Sequence, residues 1–313
     1  MSMATPQEDS DARGVDFVAP VTWLGAPSGL PPSACAAAVF GIPFDCGTHP
    51  TRIGARLGPA SIREQSSNLR RYDPRNNIDV LAHLRLVDCG DVPVLPGRID
   101  ESFAAIESAL AAVLGSGAVA VTMGGDGAVT LPQIRALARR TSGVCVVHID
   151  AHTDAYPVDG YNTATTFRHA AQEGLVDVAR SFHIGMRGPT MVPGVYEFCR
   201  ELGYTMITMA ELRAVGYDAV AAGVMEAIGD SPTYLCFDMD FFDPSAAPGV
   251  CTPTWGGCTA HEGLALLELL NPLDVRVLDV NTVSPPHDVS GMTAFLAATV
   301  MWTFLAGLAA KRG

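Results

Sequence analysis

The sequence predicts an α/β fold: one mostly parallel sheet of roughly eight strands with helices on both faces. Three observations predict it. Short β-rich apolar runs alternate with helical stretches along the chain, the pattern of βα units. Acidic motifs follow directly on the ends of two of those runs, where such sheets place their ligand crevice. No long Gly/Ser linker, charge run or internal repeat divides the chain, so one domain is expected.

The expected strands are Ala38–Phe40, Leu84–Val87, Ala118–Thr122, Val144–Ile149, Phe182–Ile184, Thr205–Ile207, Tyr234–Phe237 and Val275–Val280. Helices are expected near 59–71, 101–115, 131–140, 193–202, 217–228 and 260–270. The Ala-rich run Ser290–Ala310 carries Thr293, Thr299 and Thr303 and reads as a packing helix rather than a membrane span. Residues 1–34 are polar and rich in Pro and Gly, without the basic and apolar regions of a signal peptide, and read as a loosely ordered arm before a single domain at 35–313.

At 313 residues the chain can bury a large core, and 48% hydrophobic against 17% charged residues suits a compact domain or an oligomer that hides part of its surface. A formal charge of −13 argues against nucleic acid and anionic membranes as partners, because phosphate binding needs basic clusters. Eight scattered cysteines with no CxxC pair read as free thiols of a reducing cytoplasm, and a bridge between Cys251 and Cys258 is disfavoured on the same ground.

The chemistry is concentrated in two stretches. Tyr234-Leu-Cys-Phe237 runs into Asp238-Met-Asp240-Phe-Phe-Asp243 and then a Pro- and Gly-containing turn. Val144–Ile149 runs into Asp150-Ala-His152-Thr-Asp154. Ligand-type side chains two apart at a strand end project toward the same side, as a cation site requires. Two such ends point to one shared site of four carboxylates and a histidine.

At these residues the chain resembles the ureohydrolases, the family of arginases, agmatinases and related guanidino-acid hydrolases. The resemblance runs from about Phe40 to about Leu305 and includes Gly41-Ile-Pro-Phe-Asp45, Gly54–Arg63, Asp88-Cys-Gly-Asp91, Gly124-Gly-Asp-Gly127, Phe237–Gly249 and Pro285-Pro-His-Asp288. Agmatinase-like members are the most similar. The resemblance implies a three-layer αβα arginase-like fold. In active members it implies two Mn²⁺ or Ni²⁺ ions bridged by a hydroxide that attacks an amidine carbon. By family position Asp150 and Asp238 would bridge the ions, Asp154 would serve one, and His152 and Asp240 the other. Two cations about 3.5–4 Å apart lower the pKa of a shared water and clamp the intermediate.

Three departures stand against that pattern. Gly127 occupies the position of a histidine ligand. Thr163 stands where active members carry a proton-shuttling histidine, and a hydroxyl with no pKa near neutrality cannot replace it, a loss of ~10²–10⁴ in rate. Thr282 stands where a glutamate holds the substrate's amidine cation. Together they predict a chain that binds one Mn²⁺ or Ni²⁺ ion or none and is a weak hydrolase, or none, by itself. The resemblance also implies trimers or hexamers, in which a diverged copy enters a ring beside a homologous ureohydrolase subunit. Heteromeric members act on biguanides, so a small guanidine or biguanide is the expected substrate of such a complex. An active agmatinase-like hydrolase with altered specificity is the alternative.

The remaining candidates read as structural. His148, His169 and His183 are expected to pack, while His287 lies near the expected pocket rim. Arg56 and Arg63 are expected to pack at the sheet edge, and Asp126 to bond backbone in its glycine-rich turn.

Overall fold

The computed structural model describes residues 21–46, 49, 51–95 and 97–312. β1 (Ala37–Gly41) precedes α1 (Gly58–Ser66), a short hairpin of β2 (Tyr72–Asp73) and β3 (Ile78–Asp79), α2 (Val80–Leu84) and β4 (Val87–Asp91). Then come α3 (Ile99–Gly115), β5 (Val119–Met123), α4 (Thr130–Ala138), β6 (Cys145–Ile149), α5 (Thr166–Gln172) and β7 (Phe182–Ile184). The chain continues through α6 (Val195–Glu201), β8 (Thr205–Ile207), α7 (Met209–Val215), α8 (Tyr217–Ile228) and β9 (Pro232–Asp238). It closes with α9 (Ala260–Leu270), β10 (Asp274–Asn281) and α10 (Met292–Arg312).

Eight strands form one sheet in the order β4-β1-β5-β10-β9-β6-β7-β8, and every pairing in it is parallel. Alternation along each strand divides the core in two. Val39, Val121, Val147 and Leu235 face one apolar layer, and Ala38, Ala120, Val146 and Tyr234 face the other. α1, α8, α9 and α10 pack in a row on the first face, while on the second α4 packs against both α3 and α5. The three-layer α/β expectation therefore holds. Helix starts follow local chemistry: Thr208 with Glu211, and Thr259 with Glu262, form reciprocal capping boxes that satisfy the first free N–H groups of α7 and α9.

Two expected elements move. The strand expected at Leu84–Val87 begins at Val87, because Val80, Leu81 and Leu84 recur at helical spacing and are buried in α2. Asp79 caps that helix by accepting from the Ala82 N–H, and Arg85 ends it with a left-handed φ of 50°. The helix expected to reach 71 stops at Ser66, and the chain turns into the β2–β3 hairpin. The hairpin and the short helices α2, α5 and α7 are too brief for periodicity to reveal.

α10 is the one helix among the described residues long and apolar enough to cross a membrane. It is largely covered, with 67% of its apolar window buried inside the domain. Residues 1–20 of the expected arm lie outside the described residues. Within residues 21–34 Trp23 and Ala26 are buried against the domain and Ser28 bridges to Asp88 of β4, while most of the other side chains are exposed.

One ion-pair knot ties this segment to the sheet edge. Arg63 on α1 is buried and forks onto Asp88, Nε to Oδ2 at 2.8 Å and Nη2 to Oδ1 at 2.9 Å, while Nη1 donates to Asp91 at 2.5 Å. The same Asp88 Oδ2 accepts the Trp23 backbone N–H at 2.8 Å. Arg63 thus sets one guanidinium charge between two carboxylates of β4. Arg63→Met leaves Asp88 buried without its partner and is expected to cost roughly 3–5 kcal/mol, measured as a lower urea midpoint. A midpoint equal to wild type would show that the knot contributes nothing.

Candidate metal centre

Four neighbouring strands, in the order β5-β10-β9-β6, end side by side at the middle of the sheet. β6 delivers Asp150, His152 and Asp154, and β9 delivers Asp238 and Asp240. β5 leads into Gly124–Gly127, and β10 leads into Thr282. The β10–β9 register sets Asn281 opposite Asp238, which brings the Thr282 side chain onto the carboxylate.

The four aspartates are buried, each 5% exposed or less. Asp150 Oδ1 accepts the His152 backbone N–H at 2.5 Å, and the His152 Nδ1 lies 3.2 Å from that oxygen and 3.1 Å from Asp240 Oδ2. Asp240 Oδ1 accepts the Ala151 N–H at 3.1 Å, so the two loops are tied across the strand ends. Asp238 Oδ1 accepts both the Asp240 N–H at 2.7 Å and the Thr282 hydroxyl at 2.5 Å. Asp154 and Thr282 both hold a left-handed backbone, with φ of 45° and 66°. Such conformations cost ~1–3 kcal/mol each in residues other than glycine and cluster at functional sites. The Thr282 backbone is held on both sides, its N–H donating to Gly125 O and its carbonyl accepting from Cys251.

The electrostatics follow from crowding. Burial, then the Asp150 charge, holds Asp154 well above the usual carboxylate range. Burial, then Asp240 and Asp150, does the same to Asp238, and burial with Asp150 raises Asp240. Burial also acts against ionised Asp150, but His148 and His152 beside it win and hold it below its ordinary value. For His152 burial opposes the charge, yet Asp240 and Asp150 keep its pKa well above 6.5.

His148-Asp150-Asp154 and Asp150-His152-Asp240 each bring one ligand atom per residue within 4.8 Å of the others. Asp150, His152 and Asp240, with Asp238 beside them, fit one divalent cation by donor type, imidazole and carboxylate serving either Mn²⁺ or Ni²⁺. The side toward Asp154 fits a second one less well. A Cβ built on Gly127 would lie 3.0 Å from Asp154 Oδ2 and 2.8 Å from the Thr163 methyl carbon, so position 127 overlooks Asp154 but offers no ligand atom.

Thr163 and Thr282 line the same cavity, together with Asp45, His49, Arg52, Asp126 and the exposed Met191. The Thr163 hydroxyl is buried without a hydrogen-bond partner among the described residues. Asp126 accepts the Cys46 and Ala128 N–H groups as expected for its turn, and burial pushes its pKa up to about 6. Gly125 allows that turn to close: a Cβ there would stand 1.7 Å from the Phe44 carbonyl oxygen.

The other expected residues divide, some placed as the sequence suggests and some not. His287 is not among the cavity-lining residues; its short Pro285–His287 turn carries the ring to Ser284, Oγ to Nδ1 at 2.9 Å. His169 stacks on Tyr161 and bonds Gly160 O. His148 does more than pack, since its Nε2 lies 2.8 Å from Asp150 Oδ2. Arg56 is half exposed, 4.0 Å from Asp45. Cys251 and Cys258 are free thiols. Sequence reasoning missed Arg187 and Thr254. Arg187 Nη2 donates to the carbonyls of Asp240, Phe242 and Thr254, and Thr254 Oγ1 lies 3.2 Å from His152 Nε2. A lone arginine after a short strand carries no local signal of such bracing.

Comparison with known proteins agrees with this geometry. The sequence profile of the arginase family matches residues 35–307. The chain belongs to the arginase family. Within that family it is similar to a guanidinopropionase of Pseudomonas aeruginosa, 38% identical over 313 residues that cover 99% of this chain and 98% of the relative. It is similar to an agmatinase of Edwardsiella ictaluri, 38% identical over 277 residues, 88% of each chain. The solved proclavaminate amidino hydrolase of Streptomyces clavuligerus superposes with a TM-score of 0.88 at 32% identity, covering 94% of this chain and 98% of that one. The arginase-family fold thus includes the segments on both sides of the carboxylate cluster.

Two expected outcomes follow. Asp154, Asp238, Asp240 and His152 all have raised folded pKa values, so the stability they contribute is lost as pH rises through those values. Asp150, held low, acts oppositely and only in acid. Mn²⁺ or Ni²⁺ should therefore raise the melting temperature more at pH 8 than at pH 6, with protons released on binding; a shift independent of pH would show that these groups do not take the ion. Separately, Gly127→His alone should collide with the Thr163 methyl and add no metal, whereas Gly127→His with Thr163→Ser should raise metal content per chain, as read by elemental analysis. Equal content in both variants would separate position 127 from the centre.

Proposed function

We propose that this chain is a subunit of a metal-dependent C–N hydrolase that acts on guanidine- or biguanide-type substrates, and that its own centre is degenerate. The observation that carries the reading is convergence. Gly127, Thr163 and Thr282 lie far apart in sequence, yet the last two line one cavity and the first overlooks Asp154 at its floor. A cation held by Asp150, His152, Asp238 and Asp240 would supply Lewis acidity at this point of the cavity.

The chain's own groups do the rest poorly. Thr163 presents a hydroxyl that neither accepts nor returns a proton near neutrality. Thr282 offers no negative charge to a guanidinium, and its hydroxyl is committed to Asp238. Gly127 leaves the Asp154 side one ligand short. In this reading the centre holds one Mn²⁺ or Ni²⁺ ion or none and acts as a structural staple for the buried carboxylates. Turnover belongs to a homologous ureohydrolase subunit with a complete set of ligands, joined in a trimer- or hexamer-type ring. The most specific form of the proposal is the supporting subunit of a heteromeric hydrolase of dimethylbiguanide (metformin). Similarity to guanidino-acid and agmatine hydrolases over nearly the whole chain supports the substrate class.

The test is metal content per chain together with urea and amine release on a guanidine and biguanide panel. It is run on the purified chain alone and on the chain co-expressed with a complete-site relative. One ion or none, with turnover only in the pair, is the expected result. Two ions and turnover by the chain alone would replace the proposal with an active agmatinase-like hydrolase of altered specificity.

A further inference from the structure

Beneath the carboxylate cluster lies a pair of histidines that the proposed chemistry does not use. His148 on β6 and His183 on β7 face each other in register, 1% and 0% exposed. Their Nδ1 atoms are 2.8 Å apart, and the other nitrogen of His148, Nε2, stands 2.8 Å from Asp150 Oδ2. A carboxylate accepts only, so His148 Nε2 carries the hydrogen. A nitrogen pair at 2.8 Å holds one proton. If His183 Nδ1–H donates it, His183 Nε2 is left as a bare lone pair, and that nitrogen has no partner among the described residues. The reverse direction would strand a buried N–H there, which is the costlier orphan.

The surroundings fix both rings. His148 packs on Phe167 at 4.2 Å between centroids, and His183 meets Tyr204 and Phe167 edge-on at 4.6 and 5.0 Å. The Tyr204 hydroxyl donates to Phe167 O, and the Phe167 N–H donates to Asp154 O. The aromatic box is thereby joined to the backbone of a second cluster residue.

We infer that His148, locked in one tautomer by His183, is a positioning residue that fixes the Asp150 carboxylate from behind. His148 holds Oδ2 while the His152 N–H holds Oδ1, so the carboxylate plane cannot rotate. Only the effect on metal affinity rests on the proposed metal-binding reading; the proton arrangement does not.

Two measurements test it. Long-range ¹H–¹⁵N spectra of the intact, histidine-labelled protein, assigned with H148F and H183F, should show an Nε2–H tautomer for His148 and an Nδ1–H tautomer for His183. An Nδ1–H tautomer at His148 would overturn the inference. Calorimetric titration with Mn²⁺ should show H148F binding about 10–100-fold more weakly than wild type. H148Q, whose amide can still donate to Asp150, should bind within a few-fold of it. The metal-free melting temperatures should be alike for the two variants, which separates positioning from loss of packing. Equal Mn²⁺ affinity in H148F and wild type would also overturn the inference. A wild-type protein that binds no Mn²⁺ would count against the metal reading alone, since the tautomers are decided without it.

Discussion

The structure depends on one electrostatic constraint: four carboxylates brought together out of water at the centre of a sheet. Asp150, Asp154, Asp238 and Asp240 are all nearly inaccessible, and burial together with mutual repulsion raises three of them while Asp150 is held down by two histidines. Charges in such surroundings must be paired, protonated or bound to a cation. The architecture around them serves that need. Adjacent parallel strands release the acidic loops toward one another, backbone N–H groups of Ala151, His152 and Asp240 point at carboxylate oxygens, and Arg187 ties the loops together through carbonyls. Arginine bonds to the backbone here, leaving the carboxylates themselves available.

The same constraint bears on the three positions that the sequence reading set apart. Gly127 and Thr163 are neighbours in space, and the Thr163 methyl occupies ground that a side chain at 127 would need. Thr282 keeps a left-handed backbone that suits a β-branched residue badly, and its hydroxyl caps Asp238. The strand-end frame that carries the four aspartates and His152 thus sits beside small neutral side chains at positions 163 and 282 and none at 127. A scaffold held by buried ion pairs and strand register accommodates such residues, because neither depends on the side chains at these three positions.

Much of the molecule was legible beforehand. Seven of the eight sheet strands were visible as apolar runs, because a buried parallel strand must be apolar on both faces. The five ligand-type residues were visible because alternate residues at a strand end share a side. What escaped was short or non-local. The β2–β3 hairpin and α2 span too few residues to show a period, and the Arg85 turn shifts β4 past the apolar signal at Leu84. His287 lies close to the site in sequence, yet its turn carries it to Ser284.

The sequence by itself determined the fold class, the acidic strand ends and the absence of imidazole and carboxylate side chains at positions 127, 163 and 282, since each follows from residue type and spacing along one segment. Only the tertiary structure decided that Thr163 and Thr282 line one cavity while Gly127 overlooks Asp154, that Thr282 bonds Asp238 and that His148 joins His183 to Asp150. These depend on strand order and register, which bring together residues up to 155 positions apart (from 127 to 282). Local sequence sets what a side chain can do; the pairing of β10 with β9 and of β6 with β7 sets what it does it to.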